Sequence, residues 1–125
     1  MSTLRIISGE FRGRVIPFSL SKFGSGDITP QKVKGALFSI LGEDLSGRTF
    51  LDLFGGSGQI GIEALSRGAI SAVFVEADKR RASFIRDVLE ELDLHDRSQV
   101  LPFKYEKALK VFSDEGARFD IIFCD

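Results

Sequence analysis

A glycine-rich bend between two carboxylates is the stretch of this chain whose residue types could do chemistry. Gly55–Gly58 follows a short apolar segment, 50–54, and precedes a segment, 59–65, whose apolar residues have helical spacing. A strand that turns tightly into a helix directs free backbone N–H groups and the positive helix end at one point. Glycine suits such a bend because it adopts positive φ and lets a ligand approach the backbone. The alternative is a tight turn that binds nothing, for which one glycine would suffice.

The two carboxylates decide which ligand the bend would hold. Asp52 precedes the glycines, and the pattern Gly56-x-Gly58-x-x-Gly61 is followed by Glu76, twenty positions beyond Gly56. This fingerprint fits NAD and also S-adenosylmethionine, because either ligand offers ribose hydroxyls to the second acid. Asp52 favours S-adenosylmethionine, since a carboxylate repels a pyrophosphate and attracts the cationic sulfonium and ammonium groups. The alternatives are that loop N–H groups satisfy Asp52 and that Glu76 is a strand-end acid in water.

The elements that would position these groups alternate between strand and helix. After a strand that ends at the bend, we predict strands over 71–76, 99–103 and 119–124, with helices over 79–92 and 106–113. This alternation gives a parallel sheet with right-handed crossovers, and ligands bind beyond the carboxyl ends of such strands. We therefore predict an α/β fold of the Rossmann-like class, with the bend, Glu76 and Asp125 at one edge of the sheet.

Two further elements precede the sheet. Segments 4–8 and 13–18 predict a β-hairpin with its turn over 9–13, and segment 19–27 predicts a flexible loop. Thr29 and Pro30 predict an N-cap and the first residue of a helix that runs to Leu41 and is closed by Gly42. Its apolar spacing predicts five core-facing side chains: Val33, Ala36, Leu37, Ile40 and Leu41. We divide the chain into an arm, residues 1–28, and a cofactor-binding domain, residues 29–125.

Composition and charge narrow the classes of function. The chain has 125 residues, 43% hydrophobic and 28% charged, which is typical of a globular domain. It has no apolar run long enough to span a bilayer and no secretory signal, and its single Cys124 and single His95 argue against a disulfide or a metal site. These features favour the cytoplasm. The net charge of −1 divides into +4 over residues 1–35 and −5 over the rest. A basic arm indicates a polyanionic partner, although a solvated hairpin face fits the charge equally well.

The motifs resemble those of the bacterial small-subunit (16S) ribosomal RNA guanine-N2 methyltransferases. The most specific match is Asp52–Gly58 followed by Gly61–Ala69. Segments 5–9 and 13–14 resemble the N-terminal hairpin of that family, and Thr29 with 33–41 resembles its first helix. Segment 73–76 resembles its second motif, and 119–125 resembles the approach to its catalytic motif. The resemblance therefore covers nearly the whole chain.

The resemblance implies transfer of a methyl group from S-adenosylmethionine to the exocyclic N2 of a guanine. The substrate would be 16S ribosomal RNA, free or in an assembling small subunit. The sequence leaves the oligomeric state open, and we expect a monomer. The implied cofactor-binding residues are Asp52, Phe54, Gly55, Gly56, Ser57, Gly58, Glu76, Ala77 and Thr29. The implied RNA-binding residues are Arg12, Arg14, Lys32 and Lys34. Asp125 would be catalytic, and no metal is implied.

The chain also departs from the family pattern. Asp27-Ile28 stands where the family has Arg-Pro, Gly35 where it has Glu, and Lys104 near the place of an acid that reaches the adenine. The catalytic motif is Asp-Pro-Pro-Tyr, and the chain ends on its first residue, Asp125, so we expect a part of a longer protein. Two alternatives stay open: a fragment of an NAD-type oxidoreductase, and a non-catalytic RNA-binding module with a methyltransferase fold.

Overall fold

The computed structural model describes residues 4–17 and 29–124, in which a small hairpin and a helix precede an alternating α/β sheet. The hairpin pairs strands β1 (Leu4–Arg5) and β2 (Val15–Ile16), and helix α1 (Gln31–Leu41) follows. The later elements are β3 (Thr49–Asp52), α2 (Gln59–Ser66), β4 (Ser71–Val75), α3 (Lys79–Glu91), β5 (Ser98–Leu101), α4 (Tyr105–Glu115) and β6 (Ile121–Phe123). A short 3-10 turn, His95–Arg97, lies between α3 and β5.

The four later strands form one parallel sheet in the order β5-β4-β3-β6. This confirms the predicted fold class, with the strand order reversing beside β3. The two faces of the sheet contribute to different hydrophobic clusters. Phe50 packs with residues of α2 and α3, and Leu51 packs with Ala108 of α4. Helices therefore cover both faces of the sheet, as parallel strands require. Asp52 lies in register with Phe74 of β4 and Phe123 of β6, so the carboxyl ends of the strands share one edge.

The hairpin is confirmed, with strands shorter than the sequence predicts. Backbone bonds extend the pairing beyond the two strands, because Ile6 N donates to the Arg14 carbonyl and Gly13 N to the Ile6 carbonyl, each at 2.8 Å. Leu4, Ile6 and Ile16 are buried in the same core as the sheet and α2. The predicted loop over 19–27 and the proposed division at residue 28 lie outside the described residues, so both stay predictions.

Helix α1 corrects two sequence predictions, beginning with its first turn. The helix begins at Gln31, and the N-cap is Pro30, whose extended backbone and ring supply no side-chain cap. Thr29 therefore lies one residue before the cap, and its assignment as N-cap is wrong. Gly42 closes the helix as predicted, with its N–H donating to the Phe38 carbonyl at 2.9 Å.

The buried face of α1 is also different from the predicted one. Val33 is 53% exposed and Ile40 is 84% exposed, although apolar spacing predicts that both face the core. The residues that α1 buries are Lys34 and Phe38. Arg67 contributes to the burial of Phe38, because its guanidinium carbon lies 4.6 Å from the centre of the Phe38 ring.

Candidate functional site

The glycine bend connects β3 to α2 at the carboxyl edge of the sheet. Gly56 and Gly58 have φ of +57° and +80°, and Gly58 is the N-cap of α2 in the left-handed conformation. Glycine adopts this conformation without the strain that a side chain would add. At Gly55 and Gly58 an added Cβ would lie 3.0 Å from Ile85 of α3. The bend is therefore confirmed, and packing against Ile85 is a reason for two of its glycines that the sequence does not reveal.

Glu76 connects the bend to the next helix. Its side chain is mostly buried, Oε1 accepts the Gly56 N–H and Oε2 accepts the Asp78 N–H, each at 2.8 Å. The interpretation of Glu76 as a strand-end acid in water is therefore wrong. Each carboxylate oxygen can accept more than one hydrogen bond, so these two bonds leave acceptor capacity for ribose hydroxyls.

Asp78 begins the helix that follows Glu76. Its carboxylate accepts the N–H groups of Arg80 and Arg81 at 2.9 and 3.2 Å, as an N-cap does. The Arg81 backbone bond is the largest cause that lowers the pKa of Asp78 below its usual value. The side chain of Asp78 thus stays charged at the start of α3 and stabilises the turn in which Glu76 and Ala77 lie.

The remaining predicted cofactor residues surround the same edge. Asp52 is the last residue of β3 and only 1% exposed, and Ser57 is buried within the bend. Thr29 lies beside the start of α2, because its carbonyl accepts the side-chain amide of Gln59 at 2.7 Å. The structure therefore brings Thr29 close to the bend even though the residue does not cap α1.

A cleft of about 420 Å³ opens beside Glu76. Its lining joins the ends of β3, β4 and β5 to the start of α4: Leu53, Phe54, Val75, Glu76, Ala77, Arg81, Phe103, Lys104, Tyr105 and Glu106. Three predicted cofactor residues are in this lining, namely Phe54, Glu76 and Ala77. Asp52 and Gly55–Gly58 are adjacent in the chain but are not in it, so the predicted site consists of a cleft and a neighbouring bend.

Several residues that line the cleft are not among the predicted site residues. Phe103, Tyr105 and Glu106 all come after β5, and the Tyr105 ring lies 5.6 Å from that of Phe54 at an angle of 57°. The rule that ligands bind at the carboxyl ends of parallel strands would have found them.

The predicted RNA-binding residues separate into two groups. Arg12, Arg14 and Lys32 are exposed and available to a partner. Lys34 is 0% exposed and its Nζ lies 3.2 Å from Glu63 Oε1, so its prediction as an RNA contact is wrong. Burial lowers the pKa of Lys34, and the charge of Glu63 opposes that change. Asp125 lies outside the described residues, and its catalytic role stays a prediction.

The described ranges hold neither a metal-binding cluster nor a membrane-spanning helix. Within residues 4–17 and 29–124, no group of three or more His, Cys, Asp and Glu could hold a metal ion. No helix in those ranges combines the length and apolar character needed to cross a bilayer.

Comparison with known proteins assigns the family. Residues 4–125 match the family model described as conserved hypothetical protein 95. The chain belongs to this family. YlbH of Bacillus subtilis is 36% identical over 98% of this chain, and ribosomal RNA small subunit methyltransferase D of Haemophilus influenzae is 35% identical over 98%. The resemblance to the bacterial ribosomal RNA methyltransferases is thereby confirmed.

The match is partial in length for each of these relatives. The chain spans 65% of YlbH and 62% of the Haemophilus protein. The solved structure of YhhF from Escherichia coli superposes with a TM-score of 0.78 at 28% identity, covering 99% of this chain and 64% of that one. The family's α/β fold is therefore present here from the hairpin to β6.

Proposed function

We propose that the protein carrying this chain transfers a methyl group from S-adenosylmethionine to the exocyclic N2 of a guanine in 16S ribosomal RNA. It would act in the cytoplasm, as a monomer, on free RNA or on an assembling small subunit. The observation that carries the proposal is the pair of buried carboxylates, Asp52 and Glu76, on either side of the glycine bend. When bound, S-adenosylmethionine supplies an electrophilic methyl group on a cationic sulfur.

The donor set of this edge fits that cofactor. Asp52 offers negative charge for the sulfonium and ammonium groups, with Thr29 beside it, and Gly55–Gly58 would let the methionine end of the cofactor approach the backbone. Glu76 retains acceptor capacity for the ribose hydroxyls and lines the cleft together with Ala77. Ala77 is small enough to lie against the adenine, and Phe54 adds an apolar wall at the cleft mouth.

The exocyclic amine of free guanine is a weak nucleophile, so the enzyme must activate it. The lone pair of the exocyclic amine is delocalised into the ring, and Asp125 would accept a hydrogen bond from that amine and localise the pair on nitrogen. The guanine must leave its stack to reach the site. The remaining contribution of the protein is to hold the amine in line with the methyl group.

The RNA would be held mainly through its phosphates. Arg12, Arg14 and Lys32 are exposed on the hairpin turn and on α1, and such contacts position the RNA without reading its sequence. Residues 1–28 would thus form the RNA-binding arm, and Lys32 would add a contact from the domain that spans 29–125. The positive charge of the first 35 residues supports this division.

Calorimetric titration with S-adenosylhomocysteine tests the cofactor site. The wild-type chain should bind it, and Glu76→Gln should weaken binding about 10-fold or more, because a charged acceptor of ribose hydroxyls is lost. Glu106→Gln is the matched control, since it removes a carboxylate from the same cleft that has no proposed ligand contact. NADH should not compete.

Two results would contradict the proposal. Tighter binding of NADH than of S-adenosylhomocysteine would favour the oxidoreductase alternative. The whole protein should also incorporate labelled methyl groups into unmodified 16S RNA. Salt-dependent RNA binding without incorporation would favour the non-catalytic RNA-binding module instead.

A further inference from the structure

A buried carboxylate in the middle of α2 joins three elements of the fold. Glu63 is 0% exposed, its Oε1 lies 3.2 Å from Lys34 Nζ, and its Oε2 lies 2.9 Å from Arg67 Nε. The same two oxygens accept the backbone N–H groups of Ile7 and Ser8, at 2.9 and 3.0 Å. The Glu63 side chain therefore connects α2 both to α1 and to the hairpin segment that follows β1.

Lys34 extends this contact in the other direction. Its Nζ also donates to the Arg5 carbonyl at 2.8 Å, and Gln31 donates to the same carbonyl at 2.8 Å. Burying a charge is costly unless it is paired and hydrogen-bonded, and Lys34 meets both conditions only when β1, α1 and α2 are assembled. We call Glu63, Lys34 and Arg67 the Glu63 cluster.

The turn of the hairpin is fixed to the last residue of the same helix. The Glu10 N–H donates to the Ser66 carbonyl at 2.7 Å, and the Phe11 N–H donates to Ser66 Oγ at 2.9 Å. The hydroxyl in turn donates to the Ser8 carbonyl at 2.7 Å. Arg12 follows these residues directly and is exposed, so the contact with α2 ends just before the first of the two arginines that are proposed to bind RNA.

Helix α2 therefore has the glycine bend at its N-terminal end and the hairpin turn at its C-terminal end. Its first turn follows Gly58 of the glycine bend, and its last residue, Ser66, holds the hairpin turn. Eight helical residues rise about 12 Å, so this length separates the bend from the base of the arm. The Glu63 side chain lies between them, so the hairpin is hydrogen-bonded to α2 at Glu63 as well as at Ser66.

We propose that the Glu63 cluster fixes the distance and orientation of Arg12 and Arg14 relative to the glycine bend, which makes Lys34 and Glu63 positioning residues for RNA. Neither side chain touches the RNA, since both are 0% exposed. Their effect passes through the hairpin. This inference rests on the proposed function, because it requires that the arm binds RNA.

A double-mutant cycle on RNA affinity tests the inference. The probe is an unmodified 16S RNA transcript, and the variants are Lys34→Met, Arg12→Ala with Arg14→Ala, and all three changes together. Lys34→Met should weaken RNA binding about fivefold or more while leaving affinity for S-adenosylhomocysteine within about twofold. In the chain without the two arginines, Lys34→Met should produce no further loss, because the groups that it positions are gone.

Matched variants separate positioning from general damage. Lys110→Met removes an exposed lysine from α4 and should leave RNA affinity unchanged. Gln31→Ala removes only one of the two side-chain bonds to the Arg5 carbonyl, so it should fold even if Lys34→Met does not. It should weaken RNA binding in the same direction by a smaller factor, again only when Arg12 and Arg14 are present.

The outcomes distinguish the inference from the function on which it rests. If the arginine variants bind RNA as well as the wild type, the proposed arm is wrong and the inference fails with it. If they bind weakly but the Lys34 effect adds to theirs in full, or if cofactor affinity falls equally, the positioning role alone is overturned.

Discussion

Glu63 and Glu76 are both largely buried carboxylates, yet they have different surroundings. Glu63 accepts from two cationic side chains and two backbone N–H groups and is 0% exposed. Glu76 accepts one backbone N–H at each oxygen and lines a cleft of about 420 Å³. A carboxylate that the protein saturates with donors can hold elements together but has no capacity for a ligand. One that keeps acceptor capacity beside a cleft can bind hydroxyl groups.

The difference also concerns charge. In the Glu63 cluster one carboxylate faces Lys34 and Arg67, so loss of that carboxylate would leave two buried cations without their partner. The bonds of Glu76 come from the neutral N–H groups of Gly56 and Asp78, and the single oxygen of an amide could accept only one of them. The same change from carboxylate to amide should therefore cost more stability at Glu63 than at Glu76.

The largest expected effect is that of Glu63→Gln on stability. We expect this change to lower the free energy of unfolding by about 3–5 kcal/mol, because breaking a buried pair leaves uncompensated charge. Urea denaturation followed by circular dichroism measures it. Glu76→Gln leaves one N–H without its acceptor, so it should lose less stability, about 1–3 kcal/mol, and should also lose cofactor affinity. Equal losses of stability in the two variants would show that the comparison is wrong.

The sequence predicts the carboxyl edge of the sheet, with its glycine bend, better than it predicts how the hairpin packs on α2. The order of elements, the parallel sheet and the bend follow from local patterns: apolar runs, glycines and alternation. Glu63 and Lys34 interact over 29 positions, and nothing local reports such a pairing. The apolar spacing of α1 is therefore misleading, because it predicts that Val33 and Ile40 face the core, whereas the structure buries Lys34 and Phe38.

The cleft shows a second limit of local patterns. Phe54 and Tyr105 lie 5.6 Å apart although they are distant in sequence, since β3 and β5 both end at the same edge. The general rule for parallel sheets predicts this meeting, but only if every strand end is considered. The sequence predicts Asp52 and Glu76 because each also stands in a recognisable local motif.

The next largest effect concerns the fixation of α2 to the sheet. An added Cβ at Gly61 would overlap the Phe74 ring, so Gly61→Ala should lower the free energy of unfolding by about 1–3 kcal/mol. Urea denaturation again measures the change. This variant sharpens the comparison, because it tests whether α2, which carries Glu63 and follows the bend, is held rigidly from the sheet side.

Gly35→Ala is the control with the opposite sign. This glycine is inside α1, and its added Cβ would lie 3.7 Å from Ile7 Cδ1, an ordinary contact. The change should raise stability by up to about 1 kcal/mol through helix propensity. A loss of stability instead would mean that the interface between α1 and the hairpin is packed as tightly as that between α2 and β4.

The smallest effect concerns a third carboxylate, Asp120, which is bonded to backbone like Glu76 but lies in water. It accepts the N–H of Thr49 at 2.8 Å and the Thr49 hydroxyl at 3.1 Å, and the backbone bond is the main cause that lowers its pKa below 3.8. A carboxyl whose pKa is lower in the folded chain adds stability above its unfolded pKa and loses it as pH falls through the folded one. Asp120→Asn should therefore lose less stability on acidification than the wild type.

Thermal unfolding between neutral pH and about pH 2 would show the difference as a shallower fall of the midpoint for Asp120→Asn. Asp114→Asn removes an exposed carboxylate of α4 and serves as the control for net charge. If both variants follow the wild-type profile, the bonds to Thr49 contribute nothing in water. Hydrogen bonds from the backbone would then not make one carboxylate more important than another. The role of Glu76 would have to rest on its burial and on the cleft beside it.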